Sequence, residues 1–140
     1  MKPGLFFLLF LVFAGLAVAG AQTPGNLSQR KTAEAGGVTV SVTLLPPGQT
    51  ATIDFQLVLD THAGALPADM LKVAKLREEG AREVSPLAWS GGKGGHHLAG
   101  KLSFPAAGLA PAGKAFTLLL QGVGGRNDLR FEWTATTGGI

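Results

Sequence analysis

The stretch that decides the fold covers residues 38–59, VTVSVTLLPPGQTATIDFQLVL. Apolar side chains take every second position on both sides of the interruption at residues 46–48, and β-branched residues are frequent throughout. A period of two with β-branched residues predicts half-buried strands rather than helices. The short Pro-Pro-Gly connection predicts that the two strands form an antiparallel pair.

Shorter patterns continue downstream. They predict a helical turn over residues 67–71, followed by strands over 72–78, 82–89, 96–104, 116–120 and 129–133. Pro86 cannot donate a hydrogen bond to a ladder, so its strand should lie at an edge or contain a bulge. About seven short strands without a long helix predict an all-β, immunoglobulin-like antiparallel β-sandwich. A small Greek-key barrel is the alternative.

The apolar parity of each strand also predicts the core. Ten side chains are expected to be buried together: Val40, Val42, Phe55, Leu57, Leu102, Phe104, Leu118, Leu120, Phe131 and Trp133.

The first 21 residues, MKPGLFFLLFLVFAGLAVAGA, differ from the rest because Lys2 is their only charged side chain. An apolar run that ends in small-x-small triplets predicts a signal peptide cleaved after Ala21. An uncleaved membrane anchor is the alternative, but the run of about 15 residues is shorter than the ~20 that cross a bilayer. The sequence therefore predicts a signal peptide at 1–21, a flexible lead-in at 22–35 and one β-sandwich domain at 36–136. No stable membrane anchor should remain after cleavage, and the mature protein should be periplasmic or secreted.

Composition excludes several classes of function. The chain has 140 residues, with 12 Lys and Arg scattered among 9 Asp and Glu, so no basic stripe for nucleic acid is present. The absence of Cys excludes a disulfide scaffold, thiolate metal ligands and cysteine nucleophiles.

The three histidines stand at the ends of predicted strands beside glycine-rich segments. His62 follows the second strand, whereas His96 and His97 follow the glycines of residues 91–95. Together with Asp60 and Trp89 they form the candidate binding cluster, because loops at one end of a sandwich often carry binding groups. One imidazole of this cluster is expected to donate a hydrogen bond to Asp60.

The same histidines are candidate metal ligands. The imidazoles of His62, His96 and His97 would suit Cu(II) or Zn(II), with Asp60 as a fourth ligand, whereas Met70 in that place would favour Cu(I). Adjacent residues on a strand point to opposite faces, so the neighbouring imidazoles reach one ion only if the preceding glycines break the strand geometry. The alternative is that one imidazole packs or hydrogen-bonds within the fold while another is solvated.

Other chemistries are less well supported, and the chain is not expected to be an enzyme. No Gly-x-Ser-x-Gly pattern accompanies the histidines, so a catalytic triad is not indicated. Glu78, Glu79 and Glu83 bracket a glycine turn and are predicted to form a solvated hairpin tip rather than a glycosidase pair. Residues 91–95 lack the Lys-Ser or Lys-Thr that completes a phosphate-binding loop, so they are predicted to be a flexible connector.

Four segments carry a resemblance to a known family: residues 55–62 (FQLVLDTH), 76–89 (LREEGAREVSPLAW), 94–105 (GGHHLAGKLSFP) and 130–133 (RFEW). Together they resemble an uncharacterised family of small secreted prokaryotic domains. In that family D-T-H, a Trp, G-H-H-x-x-G-x-L-x-F-P and F-E-W recur in this order. The resemblance implies an extracytoplasmic β-rich domain of unassigned activity.

These observations lead to one expected function and one alternative. The chain is expected to be a secreted or periplasmic, non-enzymatic binding or structural module that uses no cofactor and has an unassigned ligand. The alternative is an extracytoplasmic copper- or zinc-binding protein that uses the histidine cluster.

Overall fold

The computed structural model of the protein describes residues 30–46, 48–80, 82–106 and 115–134. The predicted signal peptide, residues 22–29 of the predicted lead-in and residues 135–136 lie outside these ranges. The described strands are β1 (Arg30–Ala35), β2 (Val38–Leu44), β3 (Thr52–Thr61), β4 (Ala74–Glu78), β5 (Glu83–Val84), β6 (Ala88–Trp89), β7 (His97–Pro105), β8 (Ala115–Leu120) and β9 (Leu129–Thr134). One short helix, α1 (Met70–Val73), lies between β3 and β4.

The strands form two antiparallel sheets, so the fold is all-β and consistent with a β-sandwich. One sheet has five strands in the order β1-β2-β3-β7-β6, and the other has four in the order β5-β4-β8-β9. The predicted antiparallel pairing of the first two sequence segments is confirmed, because Val42 of β2 lies opposite Leu57 of β3. Within the described residues, no helix is long and apolar enough to span a membrane.

The strand β1 corrects the predicted lead-in, because residues 30–35 are paired with β2 rather than forming a flexible segment. Gly36 and Gly37 connect the two strands with φ angles of 54° and 78°. Two consecutive left-handed residues are typical of a type I′ hairpin turn, which glycine adopts without steric cost. The alternation was not visible in the sequence because Lys31 and Ala33, which point toward the second sheet, carry a charge and a single methyl group.

The predicted strand over residues 82–89 is wrong as a single strand. Glu83 of β5 pairs with Arg77 of β4, whereas Trp89 of β6 pairs with Leu102 of β7, so the chain changes sheets between them. Pro86 lies at the change, where a residue without an N–H ends a ladder. This division and the additional β1 account for nine described strands where about seven were predicted.

The helical turn forms close to its predicted place. Asp69 caps α1, and its side chain accepts a hydrogen bond of 3.1 Å from the backbone N–H of Leu71. The turn covers Met70–Val73 and β4 covers Ala74–Glu78, so both elements begin two or three residues later than predicted.

The predicted core is confirmed, because all ten predicted side chains belong to one buried cluster between the sheets. Phe55 lies at its centre, with ring centroids 5.1 Å from Trp133 and 5.9 Å from Phe104. Edge-to-face and tilted aromatic contacts of this kind add to the free energy gained from burial. Trp133 is therefore a core residue.

The predicted solvated hairpin tip is wrong for Glu78. Glu78 is only 3% exposed, whereas Glu79 is exposed and Glu83 forms an ion pair with Arg77. Glu78 shares its strand parity with the buried Leu76, so the alternation of β4 turns it inward.

Candidate binding site

Asp60 and His97 form the polar contact that defines the site. They lie directly opposite each other on β3 and β7, on the outer face of the five-stranded sheet. Asp60 Oδ1 and His97 Nδ1 are in hydrogen-bond contact, as the sequence predicted for one of the imidazoles. The His97 side chain is 63% exposed and the Asp60 side chain 49%, so the pair lies at the surface. When Nδ1 carries the proton, this contact fixes the imidazole tautomer and leaves Nε2 as an acceptor.

His96 and His62 lie at the same end of these two strands. The carbonyl oxygen of His96 accepts a hydrogen bond of 2.9 Å from the backbone N–H of Thr61, which extends the ladder by one residue. His62 follows Thr61, whose hydroxyl donates to the carbonyl oxygen of Ala63 at 2.6 Å and shapes the turn. Both imidazoles are exposed. The fold thus brings the three histidines to one end of the β3–β7 ladder.

The glycine-rich segment before His96 is tied to the neighbouring chain. Gly94 and Gly95 have φ angles of 60° and 80°, which end the loop in a tight turn. The N–H of Gly94 donates to the carbonyl oxygen of Pro67, and the N–H of Leu66 donates to that of Gly95, at 3.0 and 2.9 Å. The prediction of a flexible connector is therefore wrong, because these hydrogen bonds hold the loop in place. Repeated glycines in a sequence do not show which distant backbone groups they bond to.

Trp89 anchors the other end of the same loop. Its Nε1 donates a hydrogen bond of 2.8 Å to the carbonyl oxygen of Gly92. The ring is partly buried and packs against the core cluster. A Cβ on Gly91 would lie 2.2 Å from Trp89 Cζ2, so only glycine permits this approach of the loop to the ring.

Trp89 is not brought together with Asp60 and His97. It pairs with Leu102, five residues along β7 from His97, which corresponds to roughly 17 Å along a strand. Leu102 faces the core and His97 faces outward, so Trp89 and the pair lie on opposite sides of the sheet. The structure therefore gives Trp89 a packing role beside the glycine loop.

The metal interpretation needs at least three ligands near one point. Within the described ranges, no group of three or more His, Cys, Asp or Glu side chains is arranged to hold a metal ion. The structure thus joins Asp60 to His97 but does not converge His62 and His96 on them. Metal binding by the cluster remains a prediction.

Sequence reasoning missed two residues that continue the site across the sheet. Glu34 and Thr39 lie opposite each other on β1 and β2, and Thr39 lies opposite Asp60. Thr39 Oγ1 donates to Glu34 Oε1 at 2.8 Å. The Gly36-Gly37 pair was the signal available in the sequence, because a two-residue hairpin loop would have paired residue 34 with residue 39.

No protein-family model, no curated protein and no solved structure matches the chain.

Proposed function

We propose that this chain is a secreted or periplasmic, immunoglobulin-like β-sandwich that acts as a non-enzymatic binding module. The observation that carries the proposal is the Asp60–His97 contact at the surface end of the β3–β7 ladder. A carboxylate that orients an exposed imidazole provides a rigid, directional hydrogen-bonding group for a ligand.

The two antiparallel sheets around one core support the sandwich architecture of the proposal. Sandwiches of the immunoglobulin type carry binding groups in loops at their ends. The loops at residues 62–69 and 90–96 meet through the backbone bonds of Gly94 and Leu66, beside the Asp60–His97 pair. Residues 1–21 support the extracytoplasmic location through their signal-peptide pattern.

The proposed ligand carries a group that accepts a hydrogen bond from an imidazole or donates one to it, because three exposed imidazoles surround the end of the ladder. Hydrogen bonds to the backbone fix the neighbouring loop, so binding requires little ordering of this part of the chain.

A titration followed by NMR tests this proposal. Mature protein labelled with nitrogen-15 is titrated separately with Zn(II), Cu(II), inorganic phosphate and acetate, while the imidazole and backbone signals are recorded. The proposal predicts that at least one probe shifts the signals of His97 and of its neighbours, and that His97→Ala abolishes these shifts. Thr117→Ala, on the outer face of the other sheet, is the control. Shifts confined to other surfaces, or an unchanged spectrum with all four probes, would contradict the proposal.

The copper- or zinc-binding alternative has one observation in its favour. The contact of Asp60 with His97 Nδ1 leaves Nε2 directed away from the carboxylate, as in imidazole ligands that an outer carboxylate orients. This function predicts that Zn(II) or Cu(II) binds with sub-micromolar affinity and that His62→Ala and His96→Ala each weaken binding. Binding that depends on His97 alone would contradict a three-histidine site.

A further inference from the structure

The outer face of the five-stranded sheet carries rows of side chains that run across β1, β2, β3 and β7. Facing residues of a ladder point to the same side of a sheet, so the register defines each row. The acidic row is Glu34, Thr39, Asp60 and His97. The middle row is Thr32, Ser41, Val58 and Ala99. The basic row is Arg30, Thr43, Gln56 and Lys101.

Charge is segregated between these rows. The acidic row holds two carboxylates, the basic row holds a guanidinium and an ammonium, and the middle row holds only small uncharged side chains. Adjacent rows are two residues apart on each strand, which corresponds to roughly 7 Å. The acidic and basic rows are therefore about 14 Å apart, with a row of short side chains between them. The next row beyond the basic one holds Asp54, which forms an ion pair with Lys101 and leaves Arg30, among the described residues, as the unpaired cation of the face.

The charges on β1 have no ionic partner within the described chain. Glu34 accepts a hydrogen bond from Thr39, and Arg30 Nη2 donates to Ser41 Oγ at 3.3 Å. Among the described residues, neither Glu34 nor Arg30 takes part in an ion pair. Both residues are exposed, so a carboxylate and a guanidinium on the same strand are accessible to another molecule.

We propose that two copies of this chain bind each other through this face, about a two-fold axis that runs along the middle row. Such an axis lies in the plane of the interface and makes the same surface meet itself. It exchanges the acidic and basic rows, so Glu34 of one copy faces Arg30 of the partner subunit, and the reverse. Glu34 and Arg30 lie two positions on either side of Thr32 on β1. A two-fold axis at Thr32 therefore forms the Glu34–Arg30 contact twice, once on each side of the axis.

Lys101 on β7 is the second cation of the basic row, at the opposite side of the face from Arg30 on β1. Its Nζ lies 3.4 Å from Asp54 Oδ2 within the same chain, and its side chain is half exposed. The axis places the partner's Lys101 opposite His97, one strand away from Asp60, because the acidic and basic rows are superposed strand on strand. The second copy thus contributes a cation to the surroundings of the Asp60–His97 pair. This contact between the two copies requires no ligand at that pair.

The area of the face is sufficient for a specific contact. The strands β1, β2, β3 and β7 have 6, 7, 10 and 9 residues, which corresponds to a mean length of about 27 Å and, for four strands, a width of about 19 Å. Together the two copies would cover roughly 1,000 Å², which is about the least that a specific interface buries. Sheets that pack face to face are rotated by about 30° because of their twist, so contacts near the axis are disturbed least.

A charge exchange tests the pairing. Sedimentation velocity of the mature chain is expected to show a dimer, and Arg30→Glu or Glu34→Arg should each raise its dissociation constant about tenfold or more. The double variant carrying both substitutions restores every opposite-charge contact and should return the constant to about the wild-type value. Glu79→Arg, on the β4–β5 turn, makes the same charge change outside this face and should have no effect.

A cysteine on the axis tests the geometry. On this axis each middle-row residue lies opposite the same residue of the partner subunit. The chain contains no Cys, so Ala99→Cys introduces a single thiol in each copy. Face-to-face sheets lie about 10 Å apart, which is beyond the reach of a disulfide, so a bismaleimide of about that span is the suitable cross-linker. It should join Ala99→Cys chains into a dimer, whereas Glu132→Cys on the other sheet should remain unlinked.

Three results would overturn the proposal. The first is a wild-type chain that sediments as a monomer up to about 1 mM. The second is a dimer whose dissociation constant neither single charge reversal changes, or that the double variant fails to restore. The third is a dimer that forms in solution while the Ala99→Cys chain does not cross-link.

Discussion

Trp89 Nε1 donates a hydrogen bond of 2.8 Å to the carbonyl oxygen of Gly92, and this bond folds the glycine loop over the indole ring. The ring also lies so close to Gly100 that a Cβ there would stand 2.9 Å from Trp89 Cη2. The loop therefore packs around the Trp89 ring, and the lack of side chains at Gly91 and Gly100 permits this contact.

The stability of this arrangement should depend strongly on Gly100. A Cβ at that position would lie 2.4 Å from the backbone nitrogen of Gly91, which cannot move like the end of a flexible side chain. We expect Gly100→Ala to lower the free energy of unfolding by about 1–3 kcal/mol. Gly92→Ala is the control, since its Cβ would make only an ordinary contact of 3.7 Å with Leu98. Urea unfolding with equal midpoints for the two variants would contradict the packing.

A second close approach joins the β1–β2 turn to the loop before β9. A Cβ on Gly124 would lie 1.8 Å from the carbonyl oxygen of Ala35, and the φ of Gly124 is 58°. Gly125 has a similar φ of 72° but nothing within 4 Å of the added atom. We expect Gly125→Ala to cost about 1–2 kcal/mol through backbone strain alone. Gly124→Ala should cost about 3 kcal/mol or more, because overpacking is added.

Thermal or urea unfolding of this pair separates the two causes. Similar losses in both variants would show that the contact between the two turns is not formed, because strain alone would then account for both.

The core predicts a large effect for Phe55. Its side chain is fully buried and contacts the rings of Phe104, Phe116 and Trp133. We expect Phe55→Ala to lower the free energy of unfolding by about 3–5 kcal/mol. Gln56→Ala, the next residue on the outer face, should change it by less than about 0.5 kcal/mol. An unchanged unfolding midpoint for Phe55→Ala would refute the strand parity.

The Asp60–His97 contact should affect the imidazole more than the fold. Exposed polar pairs of this kind contribute about 0–1 kcal/mol, so Asp60→Asn should leave the free energy of unfolding nearly unchanged. Nitrogen NMR of the neutral imidazole should show the proton on Nδ1 in the wild type and a larger share on Nε2 in the variant. His62 and His96 serve as internal controls. Equal tautomer ratios for His97 in both proteins would show that the carboxylate does not orient the ring.

The predicted signal peptide leads to a separate prediction about the mass of the secreted protein. Secreted material should have the intact mass of a chain that begins at Gln22, because Ala21 closes the small-x-small pattern after the apolar run. A mass that retains residues 1–21 would show that this segment serves as an anchor.

The sequence predicted the strands whose two faces differ strongly in polarity. β2, β3 and β9 alternate between buried and more exposed positions, as β8 does up to Leu118, and their parity identified the core. β1 escaped because an edge strand with Lys31 and Ala33 on its inner face has no hydrophobic period. The division between β5 and β6 escaped because two-residue strands are too short to show any period.

The site was predictable only in part, for a related reason. Composition and loop position directed attention to Asp60 and His97, and the ladder register then brought them into contact. The partners of the glycine loop depend on backbone contacts with Leu66 and Pro67, which no side-chain pattern records. The inward direction of Trp89 follows from its pairing with Leu102, and that pairing requires knowledge of the strand order.

The strand order also determines when the site can exist during folding. β3 pairs with β7 although α1, β4, β5 and β6 lie between them in the chain. Closing this long loop costs chain entropy before the ladder repays it, so all-β proteins with such connections fold on the millisecond to second scale. Until β7 joins β3, Asp60 has no imidazole opposite it, and the three-stranded meander of β1, β2 and β3 exposes the unpaired edge of β3. The site and the complete five-stranded sheet therefore arise in the same step, and a chain synthesised only as far as β6 carries neither.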